Sequence, residues 1–234
     1  MDCGSGYPDA PLTFEAYIRS ESSGLEEPNI ILSAAAADSD EDAHSERNKL
    51  ATANYGQAWH FSMRKGSPLF GYVDRNYAAF EVHGPAREDL LGVWQHVAVT
   101  VSETEVTLYQ NGVMVKSASF DGPLLGVKRV TLGGYGLYLW PGKVYAFGMF
   151  RGSIDEVRVF SVARTASQIN QTKSLSGNAR DEVHFQGLTR LYAVRTTVAT
   201  AGENLEDSTG NSAGCMLSSE AVDLGHETMW VAGV

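Results

Sequence analysis

Asn111-Gly112 constrains this chain more than any other pair of residues. A two-residue type I′ turn needs a positive φ at both central positions, and Asn-Gly is the pair best suited to supply it. The turn is flanked by Val106–Gln110 and Val113–Ser117, and it is preceded by Val93, Val97, Val99 and Val101, which largely alternate with other residues. Gly92–Phe120 therefore predicts three consecutive antiparallel strands. A meander of that kind cannot bury its apolar face alone, so a second sheet must pack over it.

The remaining chain supplies the strands. Pro11–Ser20 alternates, with Leu12, Phe14, Ala16 and Ile18 on one face and Thr13, Glu15, Tyr17 and Arg19 on the other, which predicts a half-buried strand. Further strands are expected at Asn29–Ala36, Ala58–Met63, Leu69–Asp74 (joined to the previous one across Gly66-Ser67-Pro68), Tyr77–His83 and Gly126–Gly134. Gly133–Phe150 is dense in glycine and aromatics and fits neither period, so it reads as a long loop or irregular hairpin. Ser153–Val162 alternates again, with Asp155, Val157 and Val159 on one side and Glu156, Arg158 and Phe160 on the other. Thr165-Ala166-Ser167-Gln168 has the form of a capping box that opens a short helix ending near Leu175. Short strands at roughly ten-residue intervals with one helix predict an all-β, two-sheet antiparallel sandwich.

Composition narrows the partners. Twenty-eight acidic residues against 18 basic ones give a formal net charge of −10. That balance disfavours nucleic acid and anionic membrane, both of which select a positive surface. No apolar run is long enough for membrane insertion, and MDCGSGYPDA lacks the features of a signal peptide. Cys3 and Cys215 are either bridged or two free thiols.

Several stretches carry a resemblance. Trp94-Gln95-His96-Val97, Leu108-Tyr109-Gln110-Asn111-Gly112, Gly152-Ser153-Ile154-Asp155-Glu156-Val157-Arg158-Val159-Phe160, Ala163-Arg164-Thr165 and Gln168-Ile169 follow one another as in the laminin G-like, concanavalin A-like jelly-roll family, and Phe14-Glu15-Ala16-Tyr17-Ile18 is similar to its early strand. The resemblance implies a concanavalin A-like jelly roll with one short helix near 165–175, formed by residues 1–234 as a single domain with its core at 10–172. Leu205–Leu217 resembles the segment that normally opens such a domain, here displaced to the tail. Two readings are open: residues 185–234 fold back to supply the first strand, or they begin a truncated second repeat.

Catalysis has little to run on. The laminarinase-type glycoside hydrolases of this fold carry two carboxylates two positions either side of an aspartate on one strand, and here Ser153 and Val157 stand at those positions. There is no G-x-S-x-G elbow, Walker loop or H-E-x-x-H pair, and the six histidines lack ligand spacing. His96 reads as a structural residue beside Trp94. Asp38-Ser39-Asp40-Glu41-Asp42 has the alternating carboxylates of a calcium loop without the glycine and later glutamate of an EF-hand. Asp155 is the better metal candidate, because a partly buried carboxylate needs a partner. The resemblance implies a structural calcium ion near that strand; a hydrogen-bonded or arginine-paired Asp155 is the competing reading.

Sugars present apolar C–H faces and rings of hydroxyls, so aromatic platforms beside polar groups suit them. Tyr135, Tyr138, Trp140, Tyr145 and Phe147 crowd one glycine-rich stretch and are the candidate ligand-binding residues, with Lys143 and Arg151 nearby. The expected protein is a non-catalytic recognition module, extracellular or on the cell surface, whose partner is a carbohydrate or an extracellular protein. A polysaccharide-active enzyme and a structural spacer are the alternatives.

Overall fold

The computed structural model describes residues 10–24, 28–35, 57–73, 78–120, 122, 124, 129–139, 143–147, 149–174, 188–192, 204–205 and 215–216. Cys3, the acidic stretch 38–46, Trp140 and Leu175 lie outside them, as does one side of any Cys3–Cys215 bridge. In chain order the strands are β1 (Leu12–Ser20), β2 (Asn29–Ala35), β3 (Gln57–Arg64), β4 (Ser67–Val73), β5 (Ala79–His83), β6 (Trp94–Val101), β7 (Glu105–Gln110) and β8 (Val113–Ser119). They continue with β9 (Arg129–Leu132), β10 (Tyr135–Leu139), β11 (Lys143–Phe147), β12 (Gly152–Phe160), β13 (Leu188–Tyr192), β14 (Asn204–Leu205) and β15 (Cys215–Met216), with helix α1 (Ala166–Thr172) after β12.

The expected meander is β6-β7-β8, and both turn residues take a positive φ, 52° at Asn111 and 78° at Gly112. It forms one side of a six-stranded antiparallel sheet ordered β13-β12-β1-β6-β7-β8. The second sheet, ordered β5-β4-β3-β2-β9, packs over it. One core lies between them: Leu12, Phe14, Ile18, Val97, Val99, Leu108, Val157 and Val159 from the first sheet meet Leu32, Trp59, Phe61, Phe70 and Val130 from the second. Trp59 sits 4.6 Å from Phe14 between ring centroids, so an aromatic contact joins the layers at their middle. The β3–β4 turn is tighter than expected: Lys65 and Gly66, at φ 53° and 71°, make it, and Ser67 and Pro68 already belong to β4.

Alternation in β1 predicts one buried face, yet Thr13 and Glu15 on the other face are fully buried as well. The reason is α1, which lies on the outer side of the six-stranded sheet, with Ile169 packed on Ala98 and Tyr109. Its start is the expected capping box, in which Thr165 Oγ1 accepts from the Gln168 amide and Gln168 Oε1 accepts from the Thr165 amide at 2.8 Å. Beneath it, the Glu15 carboxylate is held by Arg164, by Arg158 Nη1 at 3.4 Å and by His96 Nε2 at 3.3 Å. Arg158 Nη1 also donates to the Thr172 carbonyl at 3.0 Å, and Arg164 Nη1 to the Thr172 hydroxyl at 3.0 Å. His96 is thus a structural residue of this cluster. Burial pushes the Glu15 carboxyl up, but the His96 hydrogen bond and the charges of His96, Arg164 and Arg158 outweigh it and hold the group below its ordinary range.

The other sheet has its own buried polar residue on its outer face. His60 in β3 places Nδ1 3.1 Å from the Ser62 hydroxyl, and its ring lies against Gly71 of β4, where a Cβ would collide with the imidazole. Burial lowers the imidazole to about 4; Glu81 opposes that shift and Arg64 adds to it.

Glu15→Gln removes the carboxylate that two buried arginines face, and is expected to lower unfolding free energy by about 3–5 kcal/mol in urea titration, against about 1 kcal/mol for Thr165→Ala at the helix cap. For His60, the unfolded chain takes up a proton below its ordinary pKa, whereas the native ring stays neutral down to about 4. Stability from this group is therefore present above about pH 6.5 and falls by about 1.4 kcal/mol per pH unit as pH drops through that window. The Glu15 contribution is lost only further down, below the ordinary glutamate value of about 4.3. Urea midpoints between pH 7 and 4 are expected to drop less steeply in His60→Gln than in the parent chain.

Candidate functional site

The antiparallel registers bring many connections to one end of the sandwich. Arg19 near the end of β1 pairs with Trp94 at the start of β6, and Ser20 pairs with Gly152 at the start of β12. Asn29, the first residue of β2, fastens this end. Its Nδ2 donates to Ser20 Oγ at 2.8 Å and to the Arg151 carbonyl at 3.3 Å, while its Oδ1 accepts from the Arg151 amide at 2.5 Å. The Arg151 carbonyl also accepts from the Glu21 amide at 2.8 Å.

The aromatic stretch folds here as a two-stranded ribbon, β10-β11. Its base is tied to the five-stranded sheet: Gly133 N–H donates to the Ile31 carbonyl at 2.8 Å, Phe150 N–H donates to the Gly133 carbonyl at 3.0 Å, and Ser33 Oγ donates to the Gly134 carbonyl at 2.8 Å. Within the ribbon Tyr135 stands opposite Phe147, Leu137 opposite Tyr145 and Tyr138 opposite Val144. By that register Tyr135, Tyr145 and Phe147 share one face of the ribbon and Tyr138 takes the other. Trp140 lies outside the described residues. Lys143 pairs with Leu139 beside the tip.

Asp155 takes a different place from the one its alternation predicts. The β1–β12 register shifts between Glu15 and Tyr17, and Glu156 has a φ of 50°. This bulge inserts a residue, so the phase reverses. Ile154, Val157 and Val159 face the core, whereas Asp155 pairs with Tyr17 on the outer side of the sheet and is half-buried. Asp155 Oδ1 accepts from the Glu156 amide at 2.7 Å, which satisfies the donor that the bulge would leave unpaired. The hydrogen-bonded reading of this carboxylate therefore has a specific partner. Among the described residues no three His, Cys, Asp or Glu side chains come together to hold a metal ion. Val157, at one of the positions a laminarinase-type pair needs, is buried in the core.

Sequence reading missed a second aromatic group at this end. Tyr17 and Trp94 lie on the outer face of the six-stranded sheet, their ring centroids 6.4 Å apart, and Tyr17 meets His96 edge-on at 5.9 Å. Arg19 carries its guanidinium over the Trp94 ring, 5.9 Å from the centroid, and its Nη2 lies 3.3 Å from Glu21 Oε1. The odd-numbered positions of β1 and the Trp94-x-His96 spacing were the available signal, but only the cross-strand register brings the two sets together.

A family model of the concanavalin A-like lectin/glucanases superfamily, of the laminin G type, matches residues 4–170. The chain belongs to this superfamily. Two solved structures are similar to this laminin G-like chain in fold. One is a putative carbohydrate-binding protein from Bacteroides ovatus, with a TM-score of 0.59 at 18% identity over 92% of this chain and 54% of that one. The other is a heptameric SAP-like pentraxin from Limulus polyphemus, with a TM-score of 0.50 at 18% identity over 72% of each chain. The laminin G-like chain thus spans about half the length of the Bacteroides protein. No curated protein matches the sequence.

Asp155→Ala removes the side-chain acceptor of the Glu156 amide and is expected to lower unfolding free energy by about 1 kcal/mol, by the same amount in calcium and in chelator. Thermal unfolding of both chains under both conditions checks this. A midpoint that rises with calcium in the parent chain and not in the variant would instead make Asp155 a metal ligand.

Proposed function

We propose that the protein is a non-catalytic recognition module that binds carbohydrate at the loop-bearing end of its sandwich, in an extracellular or cell-surface setting. The observation that carries this reading is the aromatic ribbon. Its base is hydrogen-bonded to β2, its register gathers Tyr135, Tyr145 and Phe147 on one face, and among the described residues it pairs with no further strand. Aromatic residues carried on a ribbon fixed to a sandwich would meet a sugar at little ordering cost, which is what a weakly hydrophobic sugar face requires.

Membership of a lectin/glucanases superfamily and fold likeness to a putative carbohydrate-binding protein support the same reading. Ser153 and Val157 favour binding over hydrolysis, because neither offers a carboxylate at the positions where the related hydrolases need one.

Glycan-array screening followed by calorimetry tests the proposal. A carbohydrate ligand is expected to bind the parent chain, and Tyr135→Ala or Phe147→Ala to weaken it by about tenfold while the melting midpoint stays close to that of the parent. Release of new reducing ends from a bound polysaccharide would replace recognition with hydrolysis. Absence of binding across neutral and acidic glycans would overturn the reading.

A further inference from the structure

We propose that Trp94, flanked by Arg19 and Glu21, is a separate sugar contact on the outer face of the six-stranded sheet, taking the ring of one neutral pyranose. The inference rests on the carbohydrate reading but uses none of the ribbon residues.

Trp94 is 36% exposed although it sits within a strand. Indole is costly to leave in water, so such a ring on a rigid strand either awaits a partner or is tolerated as isolated surface. Its surroundings favour a partner. The Arg19 guanidinium lies 5.9 Å and the Tyr17 ring 6.4 Å from the indole, Tyr17 rests edge-on against His96, and His96 is bonded to the buried Glu15. Trp94 is therefore the exposed end of a row anchored in the buried ionic cluster, and a platform positioned in advance loses little freedom on binding.

The rim specifies the ligand. Arg19 and Glu21 place a donor group and an acceptor group side by side next to the ring, with side chains 37% and 57% exposed. Adjacent hydroxyls of a pyranose both donate and accept, so they can share such a pair. An exposed ion pair contributes little by itself, so admitting two hydroxyls costs little. Glu21 offsets the charge of Arg19, and the whole chain carries −10, which together favour a neutral sugar over an acidic one.

A protein partner fits less well. A stable protein interface buries roughly 800 Å² on each side. Here the exposed large apolar side chains of β6 and its lead-in are Trp94 and Val93 alone, an area closer to one sugar ring.

The test uses the full chain labelled with 5-fluorotryptophan, with the Trp94 resonance assigned from Trp94→Phe. Neutral oligosaccharides of glucose, xylose, mannose, galactose and arabinose are titrated while 19F spectra and calorimetric affinities are recorded. The expected result is a selective shift of the Trp94 signal, an affinity loss of about tenfold in Trp94→Ala, and a smaller loss in Arg19→Gln. The Trp94 shift should persist, at weaker affinity, in Tyr135→Ala. The shift is read in the parent fold, so it decides the matter even if Trp94→Ala fails to fold. Binding that ribbon variants abolish while the Trp94 signal stays still overturns this contact and leaves the proposed function standing. No binding by any glycan overturns both.

Discussion

A carboxylate buried in the middle of a sheet would be untenable without counter-charge, and much of this molecule is arranged to supply it. Glu15 lies at the centre of β1, the strand flanked by β12 and β6. Arg158 comes from β12, His96 from β6 and Arg164 from the lead-in to α1, so the carboxylate ties together three neighbouring strands and the helix that covers them. The cluster also satisfies the end of the helix, because Thr172 receives both arginines through its carbonyl and hydroxyl. Replacing such a cluster by apolar side chains is often neutral, whereas removing one member leaves charge stranded. Its value here is that it sets where α1 sits and what side chains the outer face can present.

That placement divides the outer face of the six-stranded sheet. Under α1 it is sealed by Ile169, Ala98 and Tyr109. Towards the start of β6 the same face opens, and burial declines from His96 at 2% exposure to Trp94 at 36%. Hydrogen bonds of the Asn29 side chain to the Arg151 backbone, and of the Phe150 amide to the Gly133 carbonyl, link this region to the base of the aromatic ribbon on the other sheet. The two aromatic groups therefore belong to one end of the sandwich, positioned by different sheets and by different forces: ionic anchoring for Trp94, backbone pairing for the ribbon.

Local signals were legible where geometry is local. Asn111-Gly112, the valine alternation of β6 and the Thr165–Gln168 capping box each express their structure within a few residues, and the structure bears all three out. The resemblance placed the fold for the same reason, since its motifs mark turns and strand centres. What was not legible depends on distant partners. Nothing near Glu15 announces that Arg158, 143 positions away, will bury it. The bulge at Glu156 has no glycine to mark it, so alternation placed Asp155 on the wrong face. Tyr17 and Trp94 form a pair only once β1 and β6 are aligned.

The position of β1 bears on how the chain is made. The first described strand of the chain is also the middle of its sheet, and its last ionic partner, Arg164, emerges about 150 residues later. Until then a nascent chain can assemble β1 with the β6-β7-β8 meander, but β1 is left with one open edge and an acid that lacks both its arginines. Such non-local closure is slow, and an unpaired edge is sticky. Completion therefore waits for β12 and α1 to leave the ribosome, and the stretch of synthesis before that is when this protein is most exposed to misassociation.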